Sequence, residues 1–329
     1  MALGEPNTVE VVIGSELPSA NPAMAQSAAP PHPDFSKDKT GHGLSTAYIS
    51  ELNLERYPIL DHHRLDGKPV VPFALMAEWF GHGALHNNPG LQLAGLDDMR
   101  LLKGIVLEDR QRPIRILAAP VRSNGDSITV NLELRDGITD GAEVIHSKAT
   151  ALLTDRLPSP PPYEIPADLK NAAYDRAVSQ IYADILFHGQ ALQGIRRVRS
   201  CLASGMLADL GTAPTPGAWI QTPPRNHWIA DPLAMDGAFQ MASLWCYEET
   251  GRVSLPSFSA SYRQYCRRFP SQPIQAVLAI RDVSRYKLVG DFTFLDQDGK
   301  VLATITGYEA VMEDRLIRAF KPERYATGR

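Results

Sequence analysis

The chain has 329 residues, of which 44% are hydrophobic and 21% are charged, and its formal net charge is −4. This length suits two domains or a fused pair, and the slight negative charge argues against a nucleic-acid partner, which would normally need a basic patch. The three widely spaced cysteines form neither a disulfide framework nor a zinc pattern. No apolar stretch has membrane-spanning length and no signal peptide is visible, so we expect a cytoplasmic protein without a membrane partner.

The first 42 residues differ in composition from the rest of the chain. Ser15–Thr40 is rich in Pro, Ala and Ser and has few large apolar residues, which is typical of a flexible linker. Before it, Val9–Ile13 has the apolar character of one short strand. We assign residues 1–42 to an N-terminal linker, which also suggests a piece cut from a larger polypeptide. The first folded unit is expected to cover residues 43–155.

A segment early in the first unit combines a candidate base, a tight turn and a helix start. His63 is followed by Gly67, whose missing Cβ permits a sharp turn or the close approach of a ligand. An apolar run predicts a helix over Pro72–Asn87, since proline suits the first helical position. The free N–H groups at this helix start, near Val71–Phe73, would point back toward the turn and could bind developing negative charge.

Antiparallel strands are predicted to follow this helix. Alternation of apolar and polar residues and intervening turn residues indicate strands over Arg112–Val121, Ser127–Leu134 and Val144–Leu153. Residues 156–166 are dense in proline and are interpreted as a linker. A second unit is expected over residues 167–316, with a tail over 317–329.

The second unit repeats this order of features. An amphipathic segment precedes His188 and Gly189, and a predicted helix over Leu233–Tyr247 carries Asp236 and Gln240. Because these two residues are four apart, they share one helix face and the amide can orient the carboxyl. Three further strands are predicted, over Ile274–Asp282, Tyr286–Leu295 and Val301–Met312.

Three motifs, in chain order, resemble those of the dehydratase domains of polyketide and fatty-acid synthases. The spacing His63-xxx-Gly67-xxxx-Pro72 resembles the first motif, residues 188–194 the second and residues 231–240 the third. The resemblance implies an α+β protein with the double hotdog fold, two units in which an antiparallel sheet wraps a long helix. The departures from the family pattern are His62 for Asp, Phe73 for Gly, Gln190 for Pro, Leu192 for Phe, Asp231 for His and Met235 for Leu.

The same resemblance implies a dehydratase that removes water from a β-hydroxyacyl thioester, with His63 as base and Asp236 as acid. The first helix, FALMAEWF, looks like that of synthases of polyunsaturated fatty acids. The implied partners are acyl carrier protein, other synthase domains and a second copy in a homodimer. No metal is implied, and no cofactor beyond the phosphopantetheine arm that carries the substrate. The supporting, oxyanion and tunnel residues would be Gly67, Val71, Pro72, Phe73, His188, Gly189 and Gln240.

The chemistry of the two principal residues agrees with these roles. Eliminating water requires a base for the α-proton and an acid for the departing hydroxyl. A neutral imidazole suits the first task, because its ordinary pKa lies near physiological pH. A carboxyl suits the second only while protonated. The apolar sequence neighbours of Asp236 predict a setting that raises its pKa; these are Leu233, Met235, Ala238 and Phe239.

Two alternative functions stay open at this level. A double-bond isomerase or cyclising domain could use the same base and acid. A non-catalytic hotdog scaffold would need neither residue, although the departures from the family motifs favour it mildly. A metal site is a third consideration, since Glu78, His82 and His86 share one helix face. Their order is not that of zinc proteases, and two glycines, Gly81 and Gly83, weaken that helix.

Overall fold

The computed structural model describes residues 43–107, 112–124, 127–136 and 144–321. The predicted linker, its short strand and residues 322–329 lie outside the described residues. The helices are α1 (Phe73–Leu85), α2 (Ala167–Asn171), α3 (Val178–Asp184), α4 (Pro232–Thr250) and α5 (Leu316–Phe320), with 3₁₀ turns at Pro58–His62, Gln190–Leu192 and Pro216–Ala218.

The strands are β1 (Ser45–Leu52), β2 (Arg64–Leu65), β3 (Lys68–Pro69), β4 (Gln92–Leu101), β5 (Arg112–Ala118), β6 (Arg122–Asn124), β7 (Ser127–Asp136), β8 (Ile145–Thr154), β9 (Ile195–Leu202), β10 (Gly205–Leu210), β11 (Ser254–Gln264), β12 (Ile274–Val283), β13 (Lys287–Leu295) and β14 (Val301–Met312).

Two antiparallel half-sheets join edge to edge into one continuous sheet. The strand order is β1-β5-β7-β8-β4-β11-β14-β13-β12-β10-β9, and β6 pairs with β7. The first five strands belong to the first unit and the last six to the second. The junction is the pairing of β4 with β11, in which Arg100 lies opposite Phe258 and Gly95 lies opposite Arg263.

Each half-sheet wraps one long helix, so the predicted double hotdog architecture is confirmed. Helix α1 contacts β4, β5, β7 and β8, whereas α4 contacts the strands of the second unit. Both helices are buried on nearly all faces, as expected of helices enclosed by a sheet. The two helices also touch each other, with the rings of Phe73 and Phe239 5.9 Å apart.

The structure adds strands that the sequence patterns do not reveal. Strands β1, β4, β9, β10 and β11 were not predicted. In β4, a non-glycine residue with positive φ, Asp98, coincides with a shift of register against β8 and interrupts the alternation of side chains. Strand β9 lies at the edge of the sheet and carries exposed arginines. Because of these polar residues, the segment lacks the regular apolar–polar alternation that predicts a strand.

The packed structure continues beyond residue 316, where the sequence predicts the tail to begin. Helix α5 buries Leu316, Ala319 and Phe320, and the N–H of Asp66 donates to the carbonyl oxygen of Ala319 at 2.8 Å. Ala319 and Phe320 follow a charged turn, and only tertiary contacts make them part of the core. No helix in the described ranges is long and apolar enough to cross a membrane.

Candidate active site

His63 is held between a 3₁₀ turn and a tight hairpin. Strands β2 and β3 pair through a turn in which Asp66 and Gly67 both have positive φ, of 50° and 74°. This is the conformation of a type I′ turn, for which Asp-Gly is a favoured sequence. No described protein atom lies within 4 Å of a Cβ added at Gly67, and its positive φ is what the turn requires.

The hairpin fixes the tautomer of His63. Its Nδ1 atom lies 2.7 Å from the carbonyl oxygen of Val70, which can only accept a hydrogen bond. The proton therefore sits on Nδ1, and Nε2 keeps the lone pair that a base needs. His63 is 7% exposed, and its ring packs edge-on against Phe187 at 4.8 Å.

Helix α1 begins beside His63, but its donors differ from the predicted set. The N–H of Val71 donates to the carbonyl oxygen of Ile105 at 2.9 Å, and Pro72, the N-cap residue, has no N–H. The sequence predicts a free donor at Val71, and this prediction is wrong. The N–H of Val71 is already hydrogen-bonded to a residue outside the helix. The N–H of Phe73 has no acceptor among the described residues, and Phe73 lines the cavity described below.

His188 and Gly189 come from the second unit and lie against the first. The N–H of Gly189 donates to the carbonyl oxygen of His62 at 2.9 Å. A Cβ at Gly189 would stand 2.6 Å from the ring of His62, so glycine is required by this close approach. The ring of His188 stacks on Phe187 with centroids 4.0 Å apart and lies 5.3 Å from the ring of His63.

Asp236 lies in the first half of α4 with Gln240 one turn later, as the spacing predicts. The amide Nε2 of Gln240 donates to Asp236 Oδ2 at 2.6 Å. His188 Nε2 lies 3.3 Å from the same oxygen. His63, His188 and Asp236 each place one nitrogen or oxygen within 4.8 Å of the others. Two imidazoles and a carboxylate are also ligands that zinc accepts.

These side chains open onto one cavity of about 100 Å³ between the two helices and the C-terminal helix α5. Its polar members include the three clustered residues and Gln240. Its other walls are mostly apolar and come from both units, including Leu65, Val71, Phe73, Phe187, Phe239, Leu316 and Phe320. Of the predicted site residues, Gly67, Pro72 and Gly189 shape the surrounding backbone and do not line this cavity.

Burial and mutual contact shift the pKa values of the pair. Burial is the main cause that lowers the pKa of His63 to about 4, with Asp236 opposing this shift and His188 adding to it. Burial raises the pKa of Asp236, but His188, His63 and Gln240 together outweigh it, so this pKa lies below its ordinary value. The prediction of a raised pKa is therefore wrong for the substrate-free protein. The sequence neighbours of Asp236 are apolar, whereas its spatial neighbours are polar.

Glu78 joins the two units through hydrogen bonds, and among the described residues it does not form a three-residue cluster with His82 and His86. Its carboxylate accepts hydrogen bonds from the N–H groups of Ile229, at 2.9 Å, and Ala230, at 2.7 Å. His82 Nε2 lies 3.0 Å from the same carboxylate. The sequence signal for this role is a charged residue inside an almost wholly apolar helix, because a buried charge requires partners.

Asp231 stands where the family motif has His, and its position at the start of α4 accounts for this departure. It is the N-cap of α4, and its Oδ1 accepts hydrogen bonds from the N–H groups of Leu233, Ala234 and Ala213 at 2.8–3.0 Å. Aspartate is among the best N-cap residues. Burial, opposed by these hydrogen bonds, raises the pKa of Asp231 to about 6. Asp231 and Glu78 thus fix the start of the helix that carries Asp236.

The fold and this cluster define a double hotdog protein with a buried histidine and aspartate at one cavity. A model of the polyketide synthase dehydratase N-terminal domain matches residues 158–318, so this part of the chain is similar to that family. The matched range contains Asp236 and His188 but not His63, which the fold brings to them from the first unit.

Solved structures share this fold, and a curated relative matches part of the sequence. The dehydratase domain from the CurF module of curacin polyketide synthase aligns with a TM-score of 0.66 at 17% identity, covering 80% of this chain and 92% of that one. A trans-AT polyketide synthase dehydratase domain from Brevibacillus brevis aligns with a TM-score of 0.65 at 19% identity, covering 81% and 93%. A polyunsaturated fatty acid synthase polypeptide of Thraustochytrium sp. is 28% identical over 209 residues, which are 63% of this chain and 7% of that much longer relative.

Proposed function

We propose that this chain is a dehydratase that removes water from a β-hydroxyacyl thioester carried on acyl carrier protein. It would act in polyketide or fatty-acid synthesis, including that of polyunsaturated fatty acids. The observation that carries the proposal is the convergence of His63 and Asp236 from different units onto one largely apolar cavity. An acyl chain suits such walls, and an imidazole and a carboxyl suit the elimination of water.

Each residue of the site has a distinct role in the proposed reaction. His63 Nε2 removes the α-proton, since its Nδ1 proton is engaged by Val70. The N–H of Phe73, at the positive end of α1, stabilises the negative charge that develops on the thioester oxygen. Asp236 gives its proton to the β-hydroxyl, which leaves as water. Because an acyl chain displaces water from the cavity, it favours the protonated carboxyl at the moment when that proton is needed.

The reaction resets itself by proton transfer within the site. The imidazolium formed at His63 returns its proton to the carboxylate of Asp236, so the net change is the loss of one water from the substrate. Only proton transfers are needed, so the proposal includes no cofactor beyond the phosphopantetheine arm. Among the solved relatives, a His→Phe and an Asp→Asn variant of the CurK dehydratase are each described as inactive. These descriptions support equivalent roles for His63 and Asp236.

One assay tests the proposal directly. The purified chain is incubated with a β-hydroxyacyl thioester of acyl carrier protein, and mass spectrometry follows the loss of mass expected for one water. We expect dehydration by the native chain and none by Asp236→Asn. A native chain that leaves the hydroxyacyl thioester intact but converts a trans-2-enoyl thioester into its positional isomer would instead support the isomerase alternative. Inactivity on both substrates would support the scaffold alternative.

A further inference from the structure

Two side-chain nitrogens lie close to the oxygen Oδ2 of Asp236. One is the amide of Gln240, whose orientation is unambiguous: its Oε1 accepts from the backbone N–H of Gly194 at 3.1 Å and from the hydroxyl of Tyr182 at 2.6 Å. Its Nε2 therefore donates to the carbonyl oxygen of Leu192, at 2.8 Å, and to Asp236 Oδ2, at 2.6 Å. Gln240 can only donate to Oδ2 and cannot accept a proton from it.

The second nitrogen is Nε2 of His188, and the tautomer of this ring follows from its surroundings. Its Nδ1 is buried without a hydrogen-bond partner among the described residues. Its Nε2 lies 3.3 Å from Asp236 Oδ2. A proton on Nδ1 would be buried without an acceptor, which is unfavourable. Of the two neutral tautomers, the one with its proton on Nε2, the nitrogen nearest the carboxyl, is therefore favoured.

The other oxygen of Asp236 is left for the substrate. Oδ1 makes no hydrogen bond within the described structure, and Asp236 lines the cavity. With both donors on Oδ2, an acid proton is stable on Oδ1. Such placement is what a general acid requires, because its proton must face the leaving group.

We propose that His188 is a positioning residue for the acid: together with Gln240 it occupies Oδ2 of Asp236, keeps the catalytic proton on Oδ1 and stabilises the carboxylate that forms when that proton leaves. This inference rests on the proposed dehydratase function. In the step concerned, the Oδ1–H bond breaks, the β-oxygen gains the proton, and the C–O bond of the substrate breaks to release water. His188 keeps its own proton throughout.

Among the described residues, four titratable groups interact with Asp236, and two of them stay neutral. Burial raises the pKa values of Tyr182, on α3, and Tyr308, on β14, so neither carries charge at physiological pH. His63 and His188 are the others. Of these, His188 is the residue whose ring nitrogen lies at 3.3 Å from the carboxyl. Replacing it therefore changes the nearest titratable neighbour of Asp236.

The proposed role of His188 can be tested by measuring the protonation of Asp236, which does not depend on turnover. The chain is labelled with ¹³C-aspartate, and the carboxyl signal of Asp236 is assigned by its absence in Asp236→Asn. Its titration midpoint is then compared in the native chain, in His188→Phe and in His188→Tyr. Phenylalanine keeps a ring against Phe187 but has no donor, whereas tyrosine keeps a ring and an O–H donor.

We expect the midpoint to rise by about one pH unit in His188→Phe, because a donor to the charged form is lost. It should return toward the native value in His188→Tyr. Equal midpoints in the native chain and His188→Phe would overturn the inference, whether or not the chain dehydrates any substrate. If His188→Phe does not fold, as judged by near-UV circular dichroism, His188→Leu takes its place. The titration midpoint of Asp236 in His188→Leu is then compared with the midpoints in the native chain and in His188→Tyr.

Kinetics provide a second readout that a merely structural role would not give. In His188→Phe we expect kcat to fall about 10- to 100-fold with KM little changed, and the alkaline limb of the kcat profile to move to higher pH. His188→Tyr should recover part of kcat. A uniform loss of rate with an unshifted profile would contradict the inference. Absence of dehydration by the native chain would refute the proposed function but leave the NMR comparison valid.

Discussion

The imidazole of His63 is oriented by the backbone of a residue seven positions later: Nδ1 lies 2.7 Å from the carbonyl oxygen of Val70. The β2–β3 hairpin between them brings this carbonyl into position. Among the residues that the structure describes, Nε2 of His63 has no hydrogen-bond partner, and His63 lines the cavity. A short local motif thus produces both the placement and the tautomer of the proposed base. The arrangement makes His63 distinguishable from its neighbour His62 by experiment.

The first prediction compares these two histidines. His63→Ala should lower kcat for dehydration by about 10²–10⁴-fold, the usual contribution of general base catalysis. His62→Ala should cost far less, since the structural contact of His62 is made by its backbone oxygen. Single-turnover mass spectrometry of the acyl carrier thioester provides the measurement. An active His63→Ala with an inactive His62→Ala would show that the base is wrongly assigned.

The second prediction concerns the proposed acid. Asp236→Asn keeps the shape of the side chain but cannot donate an acidic proton, so turnover should be lost while substrate binding is retained. Binding can be measured by calorimetry with a non-reactive acyl thioester analogue. Asp236→Ala should also be inactive, with a thermal midpoint close to that of Asp236→Asn. Near-normal dehydration by Asp236→Asn would exclude Asp236 as the acid.

The third prediction is a displaced pH profile. His63 acts only when neutral, and burial lowers its pKa to about 4, so activity should not fall on the acid side until the pH approaches 4. Asp236 acts only when protonated, and its pKa is lowered in the substrate-free protein, so kcat/KM should decline as the pH rises. Substrate excludes water and raises this pKa, so the alkaline limb of kcat should lie at higher pH than that of kcat/KM.

Initial rates over a wide pH range, at saturating and at low substrate, give both profiles. An acid limb near pH 6.5, about the ordinary value for histidine, would contradict the burial of His63. Coincident alkaline limbs would contradict the effect assigned to substrate. Stability of the chain must be followed at each pH by circular dichroism, so that unfolding is not taken for titration.

The fourth prediction concerns the contact between the units. Glu78 and Ala230 are 152 positions apart in sequence, and their hydrogen bond holds the start of α4 against α1. Glu78→Ala would leave two buried N–H groups without acceptors, so we expect the free energy of unfolding to fall by about 3 kcal/mol or more. Because the start of α4 also positions Asp236, kcat should fall in the folded fraction.

Urea denaturation measures this effect, with Glu55→Ala as the control. Glu55 is exposed and should change stability by less than about 0.5 kcal/mol. Glu78→Gln keeps one acceptor oxygen, so its free energy of unfolding should lie between those of Glu78→Ala and Glu55→Ala. If Glu78→Ala is no less stable than Glu55→Ala, the contact does not join the units in solution.

The fifth prediction assigns chain-length selection to α5. Phe320 lines the cavity and packs against Phe187 with ring centroids 4.6 Å apart. Phe320→Leu should enlarge the cavity and raise kcat/KM for longer acyl chains relative to shorter ones. The control is Phe269→Leu, since Phe269 packs against Phe294 and does not line the cavity. Each variant should lose roughly 1–2 kcal/mol of stability.

Competition between acyl thioesters of different length measures the preference. A shift shared by both variants would reflect a general loosening of the fold. An unchanged preference in Phe320→Leu would show that the acyl chain does not reach α5.

The sequence by itself determined the parts that depend on local pattern. Proline and apolar runs predicted α1 and α4 to within a few residues, and alternation between turns predicted β7, β8 and β14, because these signals arise from neighbours along the chain. The order and spacing of the motifs also indicated the resemblance to synthase dehydratase domains and predicted that His63 and Asp236 share one site, and the structure places them close together.

The tertiary structure decided what depends on neighbours in space. The β4–β11 junction, the donors on Asp236 Oδ2 and the wall formed by α5 join segments that are distant in sequence. The pKa of Asp236 shows the difference most clearly. Its sequence neighbours are apolar, yet the fold places His188 and Gln240 against its carboxyl. Protonation responds to the charges and donors within a few ångströms, whatever their position in the chain.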